Sequence, residues 1–319
     1  MDLRVLKYLL SLAERGSFTS AAKEHFVTQP AVSIALRKLE GELGQRLYRI
    51  EGRTVLFTQA GEIALEYARR LSKLETELFQ RMGDLEGLKR GRISLGTIDA
   101  ASIYVLPEVF SRFRERFAGI EVKLEISSTM ILIEKMDAGQ LDLVIGTIPA
   151  DAGREYEIFP IYSEPLLVIA PQGHPLAGEA AVSAGNLTGH PFISFHEGSI
   201  TRLIVERALA DQGVTLITAM AIDSPEAIKH LVSSGLGLAV LPRRVVQSEL
   251  EKGSLVALDV KDLRIERKLG LILRSEHYIS ATARAFLGVM NEVMEVGLPP
   301  KLLEQNEGMH RPHRKTKTR

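Results

Sequence analysis

The chain contains no cysteine and no tryptophan, and its 40 Lys and Arg are matched by 40 Asp and Glu, so neither charge prevails over the 319 residues. Each lack excludes something. Without cysteine there are no disulfides, no thiolate metal sites and no cysteine redox sensing, so any switch works through a non-covalent ligand or through something other than sulfur exchange. No apolar run approaches the roughly 18–20 residues that span a bilayer. Asp2 and Arg4 open an amphipathic helix rather than a signal peptide, so the protein is expected in the cytoplasm and away from membranes. A Gly-x-Ser-x-Gly elbow, a Walker loop and a His-Glu-x-x-His pair are all missing, and the eight histidines lie mostly apart. The usual nucleophile and metal constellations are therefore lacking, and no resident cofactor is expected.

The zero balance hides an asymmetry. Residues 1–60 hold nine Lys and Arg against six Asp and Glu, whereas residues 91–297 hold 19 against 26. A basic end and an acidic body suit a DNA-facing domain joined to a ligand-facing one. At 45% apolar residues, and with about 100–200 residues per domain, the length predicts two or more cores.

Residues 17–40 read as two short helices with a tight break between them. Thr28 is a good N-cap and Pro30 falls in the first turn of the second helix, where a missing N–H is harmless. Val32, Leu36, Leu39 and Leu43 recur at three- and four-residue spacing and form a buried stripe. Gln29, Ser33 and Arg37 fall on another face and carry groups that bond base edges or phosphates. A first helix carries Leu3, Leu6, Leu10 and Ala13, and Ser17 caps a second with the small Ala21 and Ala22. After them, Leu47 to Phe57 is rich in β-formers around Glu51-Gly52, with Arg49 and Arg53 flanking the turn. The pattern is that of a winged helix-turn-helix, its reading helix in the major groove and its wing along the phosphates.

The same stretch resembles the LysR-type transcriptional regulators, through Gly16-Ser17-Phe18-Thr19, Ala21-Ala22, Thr28-Gln29-Pro30-Ala31-Val32-Ser33, Leu39-Glu40, Leu43-Gly44 and Thr58-Gln59-Ala60-Gly61. The resemblance implies a bacterial DNA-binding regulator controlled by a small co-inducer. Its expected contacts to double-stranded DNA are Thr28, Gln29, Pro30, Ser33, Arg37 and Lys38 on the helix and Arg49 and Arg53 on the wing. Positions 34 and 35, often polar or basic in relatives, are Ile34 and Ala35 here, which shifts the expected readout toward thymine methyl groups. The lack of cysteine excludes the peroxide sensing of some members.

From Thr58 a helix is predicted to about Lys89, with Ala64, Leu71, Leu78 and Leu85 at one heptad position and Tyr67, Leu74 and Leu88 at the other. So narrow a seam suits a coiled coil. The resemblance likewise implies a linker helix that pairs two DNA-binding domains, and a homotetramer is the expected assembly. Gly87 and Gly91 mark a hinge.

Beyond Arg92 strands and helices alternate with short links, the pattern of parallel α/β layers. The resemblance implies a two-subdomain α/β effector domain like a periplasmic binding protein, the chain crossing near Tyr162 and returning near Arg267. The expected division is 1–58 for the winged domain, 59–90 for the linker, 91–297 for the effector domain and 298–319 for a basic, disordered tail. Within the effector domain, subdomain I comprises 91–161 and 268–297, and subdomain II comprises 162–267.

Ligands of open parallel sheets bind beyond the strand C-termini, where helix N-termini offer free N–H groups. Ser102, Ser128, Thr129, Thr147, Ser199, Thr201 and Ser224 fall at such ends. Any one of them alone is a plain N-cap; their convergence makes them the expected effector contacts. Relatives place inducer contacts at the positions of Thr129, Ser199, Thr201 and Ser224. The loop Asp99-Ala100-Ala101-Ser102 lacks the usual hydroxyl, and Asp99 would repel a carboxylate or pair with an ammonium.

The tail carries six Lys or Arg with His310 and His313, too few ligands for a metal site. Two functions were weighed: a regulator switched by a small molecule in the cleft, with RNA polymerase as a further partner, and a metabolic α/β enzyme with an accessory helical domain. The missing catalytic constellations favour the regulator.

Overall fold

The computed structural model describes residues 2–52, 54–84, 88, 91–275 and 278–303. Arg53, Leu85, Gly87 and the tail with His310 and His313 lie outside the described residues. The chain forms two compact units, Met1–Leu85 with Glu134–Leu141 and Glu86–Ile133 with Asp142–Arg319.

The first unit opens with α1 (Leu3–Arg15), α2 (Phe18–Glu24) and α3 (Gln29–Leu43), followed by β1 (Tyr48–Glu51), β2 (Thr54–Phe57) and α4 (Gln59–Asp84). Side-chain oxygens cap the first three helices: Asp2 accepts from Arg4 N–H, Ser17 from Ser20 N–H and Thr28 from Ala31 N–H. Their apolar faces meet in one core, where Leu9, Leu12, Leu36 and Leu65 are at most 2% exposed, each stabilising the unit by about 1.5–3 kcal/mol. The wing pairs Tyr48 with Phe57 and Glu51 with Thr54. Two links, the first of them buried, tie it to the helices. The Glu40 carboxylate, 6% exposed, accepts from Leu47 N–H at 2.8 Å. Thr58 Oγ1 donates to the Arg46 carbonyl and accepts from Gly61 N–H. Gly61 is obligatory at this close approach, since a Cβ there would lie 1.9 Å from the Leu47 carbonyl oxygen.

Along α4 the heptad seam is only partly free. Ala64 and Leu71 pack against the core of their own unit, while Tyr67, Leu74 and Leu78 are exposed together with Ile63, Phe79 and Met82. Leu88 does not continue the seam; it lies in a turn, where the helical period no longer applies, and packs against the core of its own, second unit.

The second unit contains β3 (Gly91–Thr97), α5 (Asp99–Tyr104), α6 (Pro107–Arg116), β4 (Ile120–Ile126), α7 (Thr129–Asp137), β5 (Leu143–Thr147), β6 (Tyr156–Pro171), β7 (Pro191–Ser194) and α8 (Ile200–Ala210). It continues with β8 (Ile217–Ala221), α9 (Pro225–Ser233), β9 (Ala239–Pro242), α10 (Arg243–Lys252), β10 (Leu255–Ala257), β11 (Ile265–Arg274), α11 (Ala281–Met294) and α12 (Pro300–Leu303). Parallel layers are only part of the outcome. One seven-stranded sheet runs β10-β6-β11-β5-β3-β4 with β9 added on β6; β4, β3 and β5 are parallel, and β6 and β11 are antiparallel to each other. β7 and β8 form a separate parallel pair.

Two lobes result, with distinct cores. The first gathers Ile93, Leu95, Phe113, Ile145, Leu271 and Phe286; the second gathers Val168, Phe192, Val205, Leu238 and Val240, with a neighbouring cluster around Ile228 and Leu241. The long strands β6 and β11 pass from one lobe to the other, with Tyr162 opposite Leu269 and Glu164 opposite Arg267. Helix α5 serves both, since Ala101 packs in the first core and Ala100 in the Ile228 cluster.

Candidate functional site

The reading helix α3 presents a simple surface. With Val32, Leu36 and Leu39 at most 2% exposed on its inner face, the 3.6-residue period puts Pro30, Ile34, Arg37 and Gly41 on the outward stripe. Thr28, Gln29, Pro30, Arg37 and Lys38 are exposed and Ser33 is half-buried. Arg37 Nη2 donates to Ser33 Oγ at 3.0 Å, which holds the guanidinium along the helix rather than free in solvent. On the wing, Arg49 Nε lies 3.0 Å from Glu51 Oε1, and both side chains are mostly exposed. That pair contributes little to stability, so the arginine can exchange its carboxylate for a phosphate. At the turn before α3, Phe26 adopts a left-handed φ of 54° and is 96% exposed.

A cavity of about 380 Å³ opens between the lobes. The first residues of four helices line it: Asp99 and Ala100 of α5, Thr129 of α7 after Ser128, Ile200 and Thr201 of α8 after Ser199, and Pro225 of α9 after Ser224. Thr147, Phe195, Asp223 and Arg267 complete the polar and aromatic wall. The deepest hydroxyls are already engaged. Thr129 Oγ1 accepts from Thr147 N–H at 3.1 Å, Thr147 Oγ1 lies 3.4 Å from Thr201 Oγ1, and Arg267 Nη1 donates to Thr201 Oγ1 at 3.2 Å. These four residues are at most 4% exposed. Arg267 is further bound by Glu164, Nε to Oε1 at 2.7 Å and Nη2 to Oε1 at 2.6 Å, while Glu164 Oε2 is buried without a partner. At the mouth the hydroxyls differ. Ser224 Oγ accepts from Ala227 N–H, whereas Ser199 makes no capping bond with its side chain.

Beside the cavity, Tyr104 of α5 joins the lobes. Its hydroxyl donates to Glu226 Oε1 and accepts from Lys229 Nζ at 3.3 Å; Lys229, 4% exposed, also reaches Glu249 Oε1 and the Val245 carbonyl at 3.0 Å. Burial pushes the Lys229 ammonium down, but its bonds to Glu226, Glu249 and Tyr104 outweigh this and raise it above its ordinary range. Burial likewise pushes Glu226 up, and the bonds from Tyr104 and Lys229 leave it below its ordinary value.

Six of the seven hydroxyls expected from the sequence, Ser128, Thr129, Thr147, Ser199, Thr201 and Ser224, line this one cavity; Ser102 does not. The chain enters α5 at Asp99, and Ser102 Oγ turns back to donate to the Asp99 carbonyl at 2.7 Å, as hydroxyls within a first helical turn do. Arg267 was not expected to line the cavity. Its signal was present in Ile265-Glu266-Arg267-Lys268-Leu269, where the two-residue period puts an arginine on the face of two buried apolar residues.

A helix-turn-helix unit joined to a two-lobed α/β body with a polar cavity defines a ligand-responsive DNA-binding protein. Residues 3–62 match the bacterial regulatory helix-turn-helix proteins of the lysR family, and residues 86–295 match the LysR substrate binding domain. The chain therefore belongs to the LysR family of transcriptional regulators, and it is a regulator rather than an enzyme. Among its relatives, the RuBisCO operon transcriptional regulator of Allochromatium vinosum is 35% identical, over 90% of this chain and 94% of its own. The HTH-type transcriptional activator CmpR of Synechocystis is 32% identical over 89% and 93%. Among solved structures, the regulatory domain of Synechocystis CcmR in complex with 2-PG is 29% identical, with a TM-score of 0.59 over 65% of this chain and 98% of that one. CbnR, at 21% identity, shares the fold with a TM-score of 0.63 over 92% and 99%. Among the described residues no helix is long and apolar enough to cross a membrane.

Proposed function

We propose that this regulator binds operators of genes of the RuBisCO type and is switched by a small anionic metabolite in the cavity between its lobes. The carrying observation is that the N-terminal residues of α5, α7, α8 and α9 line one cavity together with Arg267. Helix N-termini carry partial positive charge and unpaired N–H groups; Asp99 and Asp223 narrow the choice to an anion compact enough to keep clear of them. The relative bound to 2-PG makes that compound the first ligand to try, and the relative named for the RuBisCO operon supports the choice of target genes.

In this reading residues 1–58 read DNA through Thr28, Gln29, Pro30, Ser33, Arg37, Lys38, Arg49 and Arg53, residues 59–90 pair subunits, and residues 91–297 receive the ligand. The exposed Tyr67, Leu74, Leu78 and Phe79 of α4 support the pairing. Two pairs make a tetramer, RNA polymerase is the partner at activated promoters, and the cytoplasm is the site of action. Ligand shifts the arrangement of the lobes only by its differential affinity for the two forms.

Thermal melting of the full-length protein against increasing 2-PG, with a neutral diol of similar size as control, tests the ligand. A rise in melting temperature that follows 2-PG alone, lost in Ser199→Ala with Ser224→Ala, is expected. No rise with 2-PG or with any small dianion would sink the anionic cavity.

A further inference from the structure

Two large apolar residues of the reading helix are exposed, Leu43 at its last position, where the expected buried stripe ends early, and Ile34 in its middle, on the outward stripe. Ile34 sits on the stripe between Pro30 and Arg37 and is 64% exposed, although a β-branched apolar side chain held in water gives up about 1.5–3 kcal/mol of burial. Its neighbour Ala35 is half-buried, so of the two apolar positions only Ile34 stands out from the helix. The core of its own unit makes no use of it: Val32, Leu36 and Leu39 fill the inner face. On the flanks, Ser33 and Arg37 are bonded to each other, which directs the polar groups of the stripe to one side of Ile34.

We infer that Ile34 is a specificity-determining residue that docks on the 5-methyl group of a thymine in the operator. The inference rests on the reading of α3 as the DNA-reading helix. In the major groove the one apolar feature on a base edge is the thymine methyl, and its position distinguishes T·A from the other three pairs. An isoleucine has no donor or acceptor for the other edges, and it leaves their polar groups without partners when they face it. Residues 34 and 37 are three apart on the helix, about 4.5 Å along its axis and little more than one base-pair step. The thymine therefore lies within a step or two of the base or phosphate met by Arg37.

The experiment uses duplexes enriched from a random pool on the full-length wild-type protein, then resynthesised with deoxyuridine replacing thymidine at one position at a time. Binding is read by fluorescence anisotropy at one salt concentration. The wild type is expected to lose about three- to tenfold at one thymine per half-site, the loss of a single buried methyl contact. Ile34→Ala should bind the thymine duplex that much more weakly and lose nothing further on uracil, with an unchanged melting temperature. Wild-type indifference to uracil at every position, or an equal uracil penalty in Ile34→Ala, would overturn the assignment. Failure of the wild type to enrich any duplex, or full binding by Arg37→Ala, would instead strike the reading of α3 itself.

Discussion

The outward face of α3 and the wall of the cavity are assembled on different plans. Fifteen consecutive residues supply the whole of the first, and its polar side chains bond to one another along a single helix, as Arg37 does to Ser33. The second draws on segments from Ile98 to Arg267, and its deepest hydroxyls bond to residues of other elements, as Thr201 does to Thr147 and Arg267. A surface of the first kind can change without disturbing the fold beneath it. Deep in the cavity the groups that would meet a ligand also bond across elements, so binding and stability are coupled there, whereas at the mouth Ser199 is free of such bonds among the described residues.

The largest test of that contrast is Arg267→Met, which leaves the Glu164 carboxylate buried and unpaired and should destabilise the protein by about 3–5 kcal/mol in urea unfolding. Adding Glu164→Leu should restore most of the loss, because two apolar groups replace the ion pair; a single mutant as stable as wild type would break the coupling. On α3 the expected loss is in binding alone. Arg37→Ala should weaken operator binding about ten- to a hundredfold at an unchanged melting temperature. Between these lies Thr201→Val, which leaves an Arg267 N–H without its acceptor and should cost about 1–3 kcal/mol of stability before any ligand is added. Ser199→Ala, with no capping bond to lose, should spare stability and change ligand affinity only.

A smaller effect concerns acid. Glu226 is held below its ordinary value of 4.5, so its contribution to stability is complete above that pH and is lost as the pH falls through the lowered value. The fall in melting temperature between about pH 5 and about pH 3 should be shallower in Glu226→Gln than in wild type; equal slopes would deny the carboxylate its part in the link to Tyr104 and Lys229. Smallest of all, Phe26→Asn should raise the stability of the DNA-binding unit by about 1 kcal/mol or less, since asparagine tolerates the left-handed backbone that a phenylalanine strains.

The same contrast governs what could be read from the sequence. The first three helices, the wing and the cap residues Ser17 and Thr28 are legible because caps, periodicity and turn residues act over a few positions, although Leu3 and Leu43, at helix ends of the expected apolar stripes, are exposed where the core stops short. Of strand β6 the sequence makes only the apolar run Leu166 to Ala170 legible, since Pro160 and Pro165 argue against a strand before it. In the structure Pro160 sits beside the irregularity at Leu269/Gly270, and over this stretch β6 pairs with β11 on one side, among the described residues. Neither proline has to supply a ladder bond on the other side. Helix α10 is faint in the sequence because only Val245, Val246 and Leu250 mark its inner face, too few for a helical period to stand out. The hydroxyls of the cavity could be named from their places after strands, but the bonds they make, from Thr147 N–H to Thr129 Oγ1 and between Thr147 and Thr201, span 18 and 54 residues. Arg267 was missed for the same reason: its partner Glu164 is 103 residues away.

The crossing strands have a mechanical consequence. Glu164 and Arg267 face each other on β6 and β11 where the two lobes meet, so their ion pair works as an axle pin, while the Arg267 guanidinium forms part of the cavity wall through Thr201. Backbone pairing on both sides of the pin forbids one strand from sliding past the other and leaves twisting as the soft coordinate. A molecule seated against Thr147 and Thr201 would touch both lobes and so distinguish one arrangement from another, whereas one held only by Ser199 and Ser224, both at helix starts of the second lobe, would not. Two ligands of equal affinity, one bridging the lobes and one confined to the second, would therefore differ in how far they shift the balance between arrangements.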